Sequence, residues 1–147
     1  MGKAILNYTT TIAADKTAME CVGLLAGHGA TKVGMTFGEA RQPDGLEFII
    51  DTPFGPRGYE LPVNIAGTAK ALQAAYQRGR AERKHTTPEQ ARRVAWRIMK
   101  DWIEVQVALI EAGMVDLTQV MLPYLRVEEG KTLYSAWLDS ERKAIGR

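Results

Sequence analysis

The chain has 147 residues, of which 46% are hydrophobic and 24% charged, with a formal net charge of +2. This is the composition of a globular protein large enough to bury a core, and no apolar run approaches the roughly 18–20 residues of a bilayer span. The start of the chain has no signal-peptide pattern, so we expect no export. A single cysteine, Cys21, excludes an internal disulfide and fits a reducing cytosol.

The first segment predicts a strand followed by a helix. Residues 4–12 place apolar and threonine side chains at every second position, which is typical of a strand. Asp15 or Thr17 is positioned to cap a helix, and Thr17 and Glu20 have the spacing of a capping box. The glycines around His28 predict the end of that helix.

Three further strands are predicted before residue 64. Pro43-Asp44-Gly45 and the segment 53–58 are strong turn signals that separate them. Pro62 indicates an edge strand or a strand end. The three predicted strands are TKVGMTF (31–37), LEFIID (46–51) and YELPV (59–63).

The second half begins with helical periodicity and contains one long helix. Thr87 as cap, Pro88 at the first helical position and Gln90 at the third give a clear start. The helix is expected to run to about Ala112 and to stop at Gly113. Apolar side chains cover most of its circumference, which predicts the central helix of the fold or of a homo-oligomer.

Together these patterns predict an α+β fold. Shorter helices are expected to begin at Asn64, Asp116 and Thr132. We predict an N-terminal antiparallel sheet of about four strands with helices packed on it, and a helical C-terminal half. The chain is predicted to be a single domain over 1–147, sheet-rich over 1–63 and helical over 64–147.

Positive charge is concentrated between Tyr76 and Lys100. This segment has eight lysines and arginines but two glutamates, a net charge of +6, whereas the remaining residues sum to −4. The N-terminus of a helix is the positive end of its macrodipole, so cations there are destabilising unless an anion lies nearby. We therefore predict a site for an anionic ligand. The candidate ligand-binding residues are Arg78, Arg80, Arg83, Lys84, His85, Thr87, Arg92, Arg93, Trp96 and Arg97.

Aromatic side chains bracket this basic segment, and an alternative reading of it stays open. Tyr76 and Trp96 beside arginines suit base stacking combined with phosphate pairing. The cations next to His85 favour its neutral form, which can donate to a phosphate. A solvated helix face paired within itself would have the same composition, because three pairs have the favourable spacing of four residues. These pairs are Glu89 with Arg93, Arg97 with Asp101, and Lys100 with Glu104.

No catalytic pattern is visible in the sequence. The two histidines, His28 and His85, lie far apart, and there is no cysteine pair, so no metal-ligand spacing exists. No glycine-rich phosphate loop and no set of nucleophile, base and orienting acid is present. We therefore expect a non-enzymatic protein without a metal or cofactor.

Several short motifs are spread along the chain. They are Asn7-Tyr8-Thr9, Leu25-Ala-Gly-His28-Gly29-Ala30, Glu60-Leu61-Pro62, Arg93-Val-Ala-Trp96-Arg97, Asp101-Trp102 and Gln106-Val-Ala-Leu109-Ile-Glu111. In these motifs, and in their order, the chain resembles an uncharacterised family of small bacteriophage and prophage proteins, and the similarity covers most of its length. The resemblance implies a viral origin and action in the host bacterial cytoplasm, and it assigns no catalytic or binding residue.

Three functions remain open at this point. The first is a phage-encoded homo-oligomer that binds an anionic nucleotide, for example as a counter-defence sponge for an immune signalling nucleotide. The second is a DNA- or RNA-binding accessory protein of phage replication or recombination. The third is a protein–protein inhibitor of a host defence enzyme. A phosphodiesterase that destroys the signal has less support, since neither a metal site nor a general-base pair is visible, and no membrane partner is expected.

Overall fold

A computed structural model describes residues 3–146 and confirms the predicted α+β class. Within these residues the chain forms an N-terminal helix, a three-stranded antiparallel sheet, and a mostly helical C-terminal half with a small hairpin. In chain order, the elements are α1 (Ala14–Ala26), β1 (Ala30–Phe37), β2 (Pro43–Thr52), β3 (Gly55–Pro62), α2 (Ile65–Gln77), α3 (Pro88–Glu111), α4 (Leu117–Met121), β4 (Arg126–Glu128), β5 (Lys131–Thr132) and α5 (Leu133–Ile145).

The sheet is the predicted meander, in the order β1-β2-β3 with both pairs antiparallel. In the central strand Leu46, Phe48 and Ile50 are buried, as their alternation predicts. The ring of Phe48 stacks on that of Tyr59 across the β2–β3 pair, with centroids 5.4 Å apart. Pro62 ends β3, an edge strand of this sheet, as predicted.

The predicted first strand, residues 4–12, is wrong. Asn7 has a φ of +64°, which is incompatible with extended backbone. The N–H of Tyr8 donates to the Ile5 carbonyl and that of Thr10 to the Asn7 carbonyl, so the chain turns here. Residues 5–12, called the N-terminal segment below, pack Ile5 and Tyr8 against a small cluster of α2 and α3 side chains. The sheet therefore has three strands rather than about four.

The predicted cap of the first helix is also wrong, whereas its predicted end is confirmed. α1 begins at Ala14, and no side chain caps it. Thr17 is buried one turn inside, where its hydroxyl donates to the Ala13 carbonyl at 3.3 Å. Gly27 follows the last helical residue, and Gly29 has a φ of +121°, a region that favours glycine.

The predicted turn at residues 43–45 lies inside β2 instead. The reversal occurs just before it, at a 3₁₀ turn over Glu39–Arg41 in which Ala40 has a φ of +55°. A Cβ atom at Gly45 would lie 2.7 Å from the Thr36 hydroxyl oxygen, so the close approach of β1 requires glycine at this position. β3 likewise begins four residues before the predicted Tyr59.

The other predicted helix caps are confirmed. The Asn64 side chain accepts from the Gly67 N–H at 2.8 Å, and the Thr87 hydroxyl from the Gln90 N–H at 3.1 Å. α3 ends at Glu111, and Gly113 has a φ of +73°. The starts of α4 and α5 are capping boxes, with Asp116 and Gln119 in the first and Thr132 and Ser135 in the second.

α3 is the central helix of the fold, because it packs against α1 and α2 and supplies both core clusters. Trp96 is fully buried, and its indole N–H donates to the Pro43 carbonyl of β2 at 2.9 Å. Cys21 of α1 is buried in the same core, where burial raises the pKa of its thiol to about 12. Val105, one of the apolar residues of α3, is exposed.

His28 joins the end of α1 to the end of α3. Its Nδ1 lies 2.8 Å from the Leu24 carbonyl oxygen, and its Nε2 lies 2.9 Å from Glu111 Oε1. Both partners are acceptors, so the doubly protonated ring satisfies both contacts. The hydrogen bond to the Leu24 carbonyl, followed by that to the Glu111 carboxylate, raises the pKa of His28 above its ordinary value of 6.5.

We predict that His28 stabilises the fold in acid more than in base. A raised folded-state pKa gives stabilisation that is complete below pH 6.5 and is lost as the pH rises through the folded-state pKa. The free energy of unfolding by urea should therefore differ more between wild type and His28→Gln at about pH 5.5 than at about pH 8.5. Glu111→Gln, which keeps the ring, should reduce the pH dependence. An equal gap at both pH values would contradict the assignment.

Candidate functional site

The N-terminal segment and the loop between α2 and α3 enclose a surface cleft of about 700 Å³. One wall is a run of three threonines that follows Tyr8. The rest of the lining comes from the loop and from the first turns of α3. The lining residues are Tyr8, Thr9, Thr10, Thr11, Gly79, Arg80, Ala81, Glu82, Lys84, His85, Gln90 and Arg93.

Gln90 joins the N-terminal segment to α3. Its side chain is buried, with 6% of the residue exposed, and Nε2 donates to the backbone carbonyls of both Tyr8 and Thr10 at 2.9 Å. Its Oε1 accepts from Nη1 of Arg93 at 3.3 Å. Because both amide hydrogens and the amide oxygen have partners, the orientation of this side chain is fixed. A second tether joins Asn7 Nδ2 to Asp101 Oδ2 at 2.7 Å.

Three cations and one carboxylate line the cleft. Arg80 has no ion-pair partner within the described residues. Lys84 pairs with Glu82 at 3.2 Å, and Arg93 pairs with Glu89 at 2.8 Å, but both glutamates are highly exposed. Exposed pairs of this kind contribute only about 0–1 kcal/mol, so an anion in the cleft competes with them easily. The lining favours a negatively charged ligand.

His85 adds a neutral donor to this lining. Its Nδ1 accepts from the Glu82 backbone N–H at 3.0 Å, so the neutral ring has its proton on Nε2. The ring contacts Tyr8 edge-on, with centroids 5.2 Å apart. This contact links the loop to the N-terminal segment and leaves Nε2–H as the hydrogen-bond donor of the ring.

The structure brings four of the ten predicted residues together, namely Arg80, Lys84, His85 and Arg93. The prediction for Trp96 is wrong, because the indole is fully buried in the core and its N–H is used by Pro43. A ligand has no access to that ring.

The other five predicted residues lie outside this lining. Arg78 and Arg83 are exposed on the same loop, and Thr87 uses its hydroxyl to cap α3. Arg92 lines a second cleft of about 450 Å³. Arg97 faces α1, where Nη1 lies 3.9 Å from a carboxylate oxygen of Glu20.

Two of the three predicted helix pairs form. Arg93 pairs with Glu89, and Lys100 lies 3.3 Å from Glu104 as well as against Glu20. Asp101 instead accepts from Asn7, and no pair between Arg97 and Asp101 is found within the described residues. The self-paired helix face therefore exists in part, but it does not neutralise the cleft.

Sequence reasoning missed the threonine wall, Tyr8 and the role of Gln90. Tyr8 lies 68 residues before Tyr76, the start of the basic segment, and no local pattern relates the two. Gln90 was read as the third residue of a capped helix, which it is, but its side chain has the additional function of holding the N-terminal segment. The burial of Gln90 indicates this function, but burial can be seen only in the folded structure and not in the sequence.

Two negative findings apply to the described residues. Over residues 3–146, no group of three or more His, Cys, Asp or Glu side chains is placed to hold a metal ion. In the same part of the chain, no helix combines the length and apolar character needed to cross a membrane.

Comparisons with protein-family models, with curated proteins and with solved structures gave no significant match. The function must therefore be inferred from the geometry of the cleft and from the sequence itself.

We predict that Gln90→Glu detaches the N-terminal segment. The substitution removes both N–H donors of the side chain and places a carboxylate against two backbone carbonyl oxygens. It should therefore lower the free energy of unfolding by roughly 1–3 kcal/mol. Amides of residues 8–12 should exchange with deuterium faster than in wild type. The control is Gln77→Glu, which adds the same charge at an exposed position of α2. Identical exchange in the two variants would show that Gln90 is not the tether.

Proposed function

We propose that the protein binds a small phosphate-bearing nucleotide in this cleft. The observation that supports the proposal is that Arg80, Lys84 and Arg93 line one cleft together with three consecutive threonines. Guanidinium groups bind phosphate oxygens in pairs, an ammonium group adds a compact charge, and hydroxyls supply neutral donors.

The size and lining of the cleft fit such a ligand. Its volume of about 700 Å³ lies within the range of roughly 300–1,000 Å³ that is typical of small-molecule sites. Tyr8 and His85 place aromatic surface beside the cations, as nucleotide recognition requires. A nucleotide would thus meet cations and hydroxyls at its phosphates and an aromatic ring at its base.

The lining favours binding over catalysis. The Nδ1 atom of His85 is occupied by the Glu82 backbone, and Nε2 then has the proton, so the ring acts as a donor and not as a base. Glu82 is the one carboxylate of the lining and pairs with Lys84. We therefore propose a non-enzymatic binding protein.

The resemblance to small phage proteins suggests a use for such a protein. A phage-encoded binder in the host cytoplasm would lower the free concentration of a nucleotide signal of host immunity by sequestering it. The non-catalytic lining supports this role, since a sponge needs affinity and not turnover.

A nucleic-acid ligand is the second candidate, and two cations outside the cleft favour it. Arg78 and Arg83 are exposed, have no ion-pair partner within the described residues, and flank Arg80 and Lys84 in the chain. They extend positive charge beyond the cleft, as a polynucleotide backbone requires. Inhibition of a host defence enzyme is the remaining proposal if neither nucleotide nor nucleic acid binds.

We predict that Arg80→Ala weakens nucleotide binding at least about tenfold, whereas Arg83→Ala changes it by less than about twofold. Both residues are exposed arginines of one loop, but only Arg80 lines the cleft. Native mass spectrometry of the purified protein would first identify any bound nucleotide. Calorimetric titration with that nucleotide, or with ATP, GTP and a cyclic dinucleotide if none is bound, gives the affinities. Neither substitution should lower the melting temperature. Equal losses from both would contradict a small cleft.

The salt dependence of binding separates the two candidates. A nucleotide held by two or three cations should show a shallow fall of affinity between about 50 and 200 mM salt, whereas a polynucleotide releases about 0.9 counterion per phosphate contact and falls steeply. Fluorescence anisotropy with a labelled single strand of about 20 nucleotides measures the second case. If nucleic acid is the ligand, Arg83→Ala should reduce the slope by about one.

A further inference from the structure

α5 exposes large apolar side chains to solvent. Tyr134, Trp137 and Ile145 are 52%, 54% and 82% exposed, and their spacing of three and eight residues places them on one side of the helix. The rings of Tyr134 and Trp137 contact each other with centroids 5.9 Å apart. No residue of α5 in the described part of the chain is buried.

α5 packs on the rest of the chain through half-buried apolar residues, which are Leu133, Ala136 and Leu138, and through polar contacts. Asp139 Oδ2 lies 2.9 Å from Lys131 Nζ of β5, and the Ser135 hydroxyl belongs to the capping box with Thr132. The two aromatic side chains of α5 nevertheless face solvent. Exposed aromatic patches of this kind mark interaction sites.

We propose that the exposed side of α5 is a homodimer interface in which the helix pairs antiparallel with α5 of a second copy. The stripe is complementary to itself. Glu141 lies on the same side, seven residues after Tyr134, and has no ion-pair partner within the described residues. A two-fold axis beside Trp137 places each Tyr134 hydroxyl opposite the partner's Glu141, so that a phenol donor meets a carboxylate twice.

The dimer should be reversible. The proposed contact consists of one short helix from each copy. Such an interface lies at the small end of the known range, below about 1,200 Å². We therefore expect a dissociation constant in the micromolar range, on the order of 1–100 μM.

This interface differs from the one that the sequence suggested. The apolar circumference of α3 predicted an oligomer built on that helix, but most of that surface is used inside the subunit. The α5 proposal rests on residues outside the cleft, so its failure would leave the proposed function untouched.

Sedimentation velocity of the full chain from about 1 to about 200 μM tests the interface. Wild type should shift from monomer to dimer, and Trp137→Ala should raise the dissociation constant at least about tenfold with unchanged helical circular dichroism. The matched control is Phe54→Ala, which removes an even more exposed aromatic ring from the β2–β3 turn and should leave the dimer intact.

A double-mutant cycle tests the arrangement. Tyr134→Phe and Glu141→Gln should each weaken the dimer by a few fold, roughly 0.5–1 kcal/mol, and the combined variant by less than the product. A monomer throughout the concentration range, or a dimer insensitive to Trp137→Ala, would overturn the interface. Loss with Trp137→Ala but additive effects of the other two would overturn the antiparallel pairing.

Discussion

The orientation of α3 about its own axis determines which of its side chains reach the core, the N-terminal segment and the cleft. Trp96 fixes this orientation relative to the sheet, because its indole is buried and its N–H donates to a carbonyl of β2. Val94 packs in a second core cluster with α2, and the Gln90 side chain donates hydrogen bonds to two carbonyls of the N-terminal segment. Gln90 and Val94, four residues apart, lie on one side of the helix, whereas Trp96 lies on the other. Once these three contacts are made, Arg93 must face the cleft and Arg97 must face α1.

The positive charge around the cleft has a cost that local pairing offsets only in part. Glu89 compensates the start of α3 and pairs with Arg93, and Glu82 pairs with Lys84, but both carboxylates are about 70% exposed. Pairs in water are weak, and the dipole of α3 adds to the positive field. Gln90 tethers the N-terminal segment without adding charge, since a neutral amide bonds two carbonyls at no electrostatic cost. Among the three cations that line the cleft, Arg80 is the one without an ion-pair partner within the described residues, and an anion would offset its charge.

Patterns among neighbouring residues predicted the helices well. The strands depended in addition on contacts between residues that lie far apart in the sequence. Thr87 and Asn64 cap their helices because capping uses neighbours three residues away. The alternation in residues 4–12 predicted a strand. In the structure Asn7 has a left-handed conformation, and the chain turns there. Gly45 looked like a turn residue, but it serves the close approach of two strands. The β4–β5 hairpin, with strands of three and two residues, is too short to leave a pattern.

The candidate site, too, was predicted only in part from the sequence. Charge clustering located the loop and α3, but only the fold could supply the threonine wall or bury Trp96.

None of the residues that line the cleft belongs to α5 or to the β4–β5 hairpin on which α5 packs. A dimer formed through Trp137 would therefore not need residues of the cleft for its contact. Each subunit would keep its own site, so the expected stoichiometry is one ligand per subunit, and affinity would not depend on protein concentration.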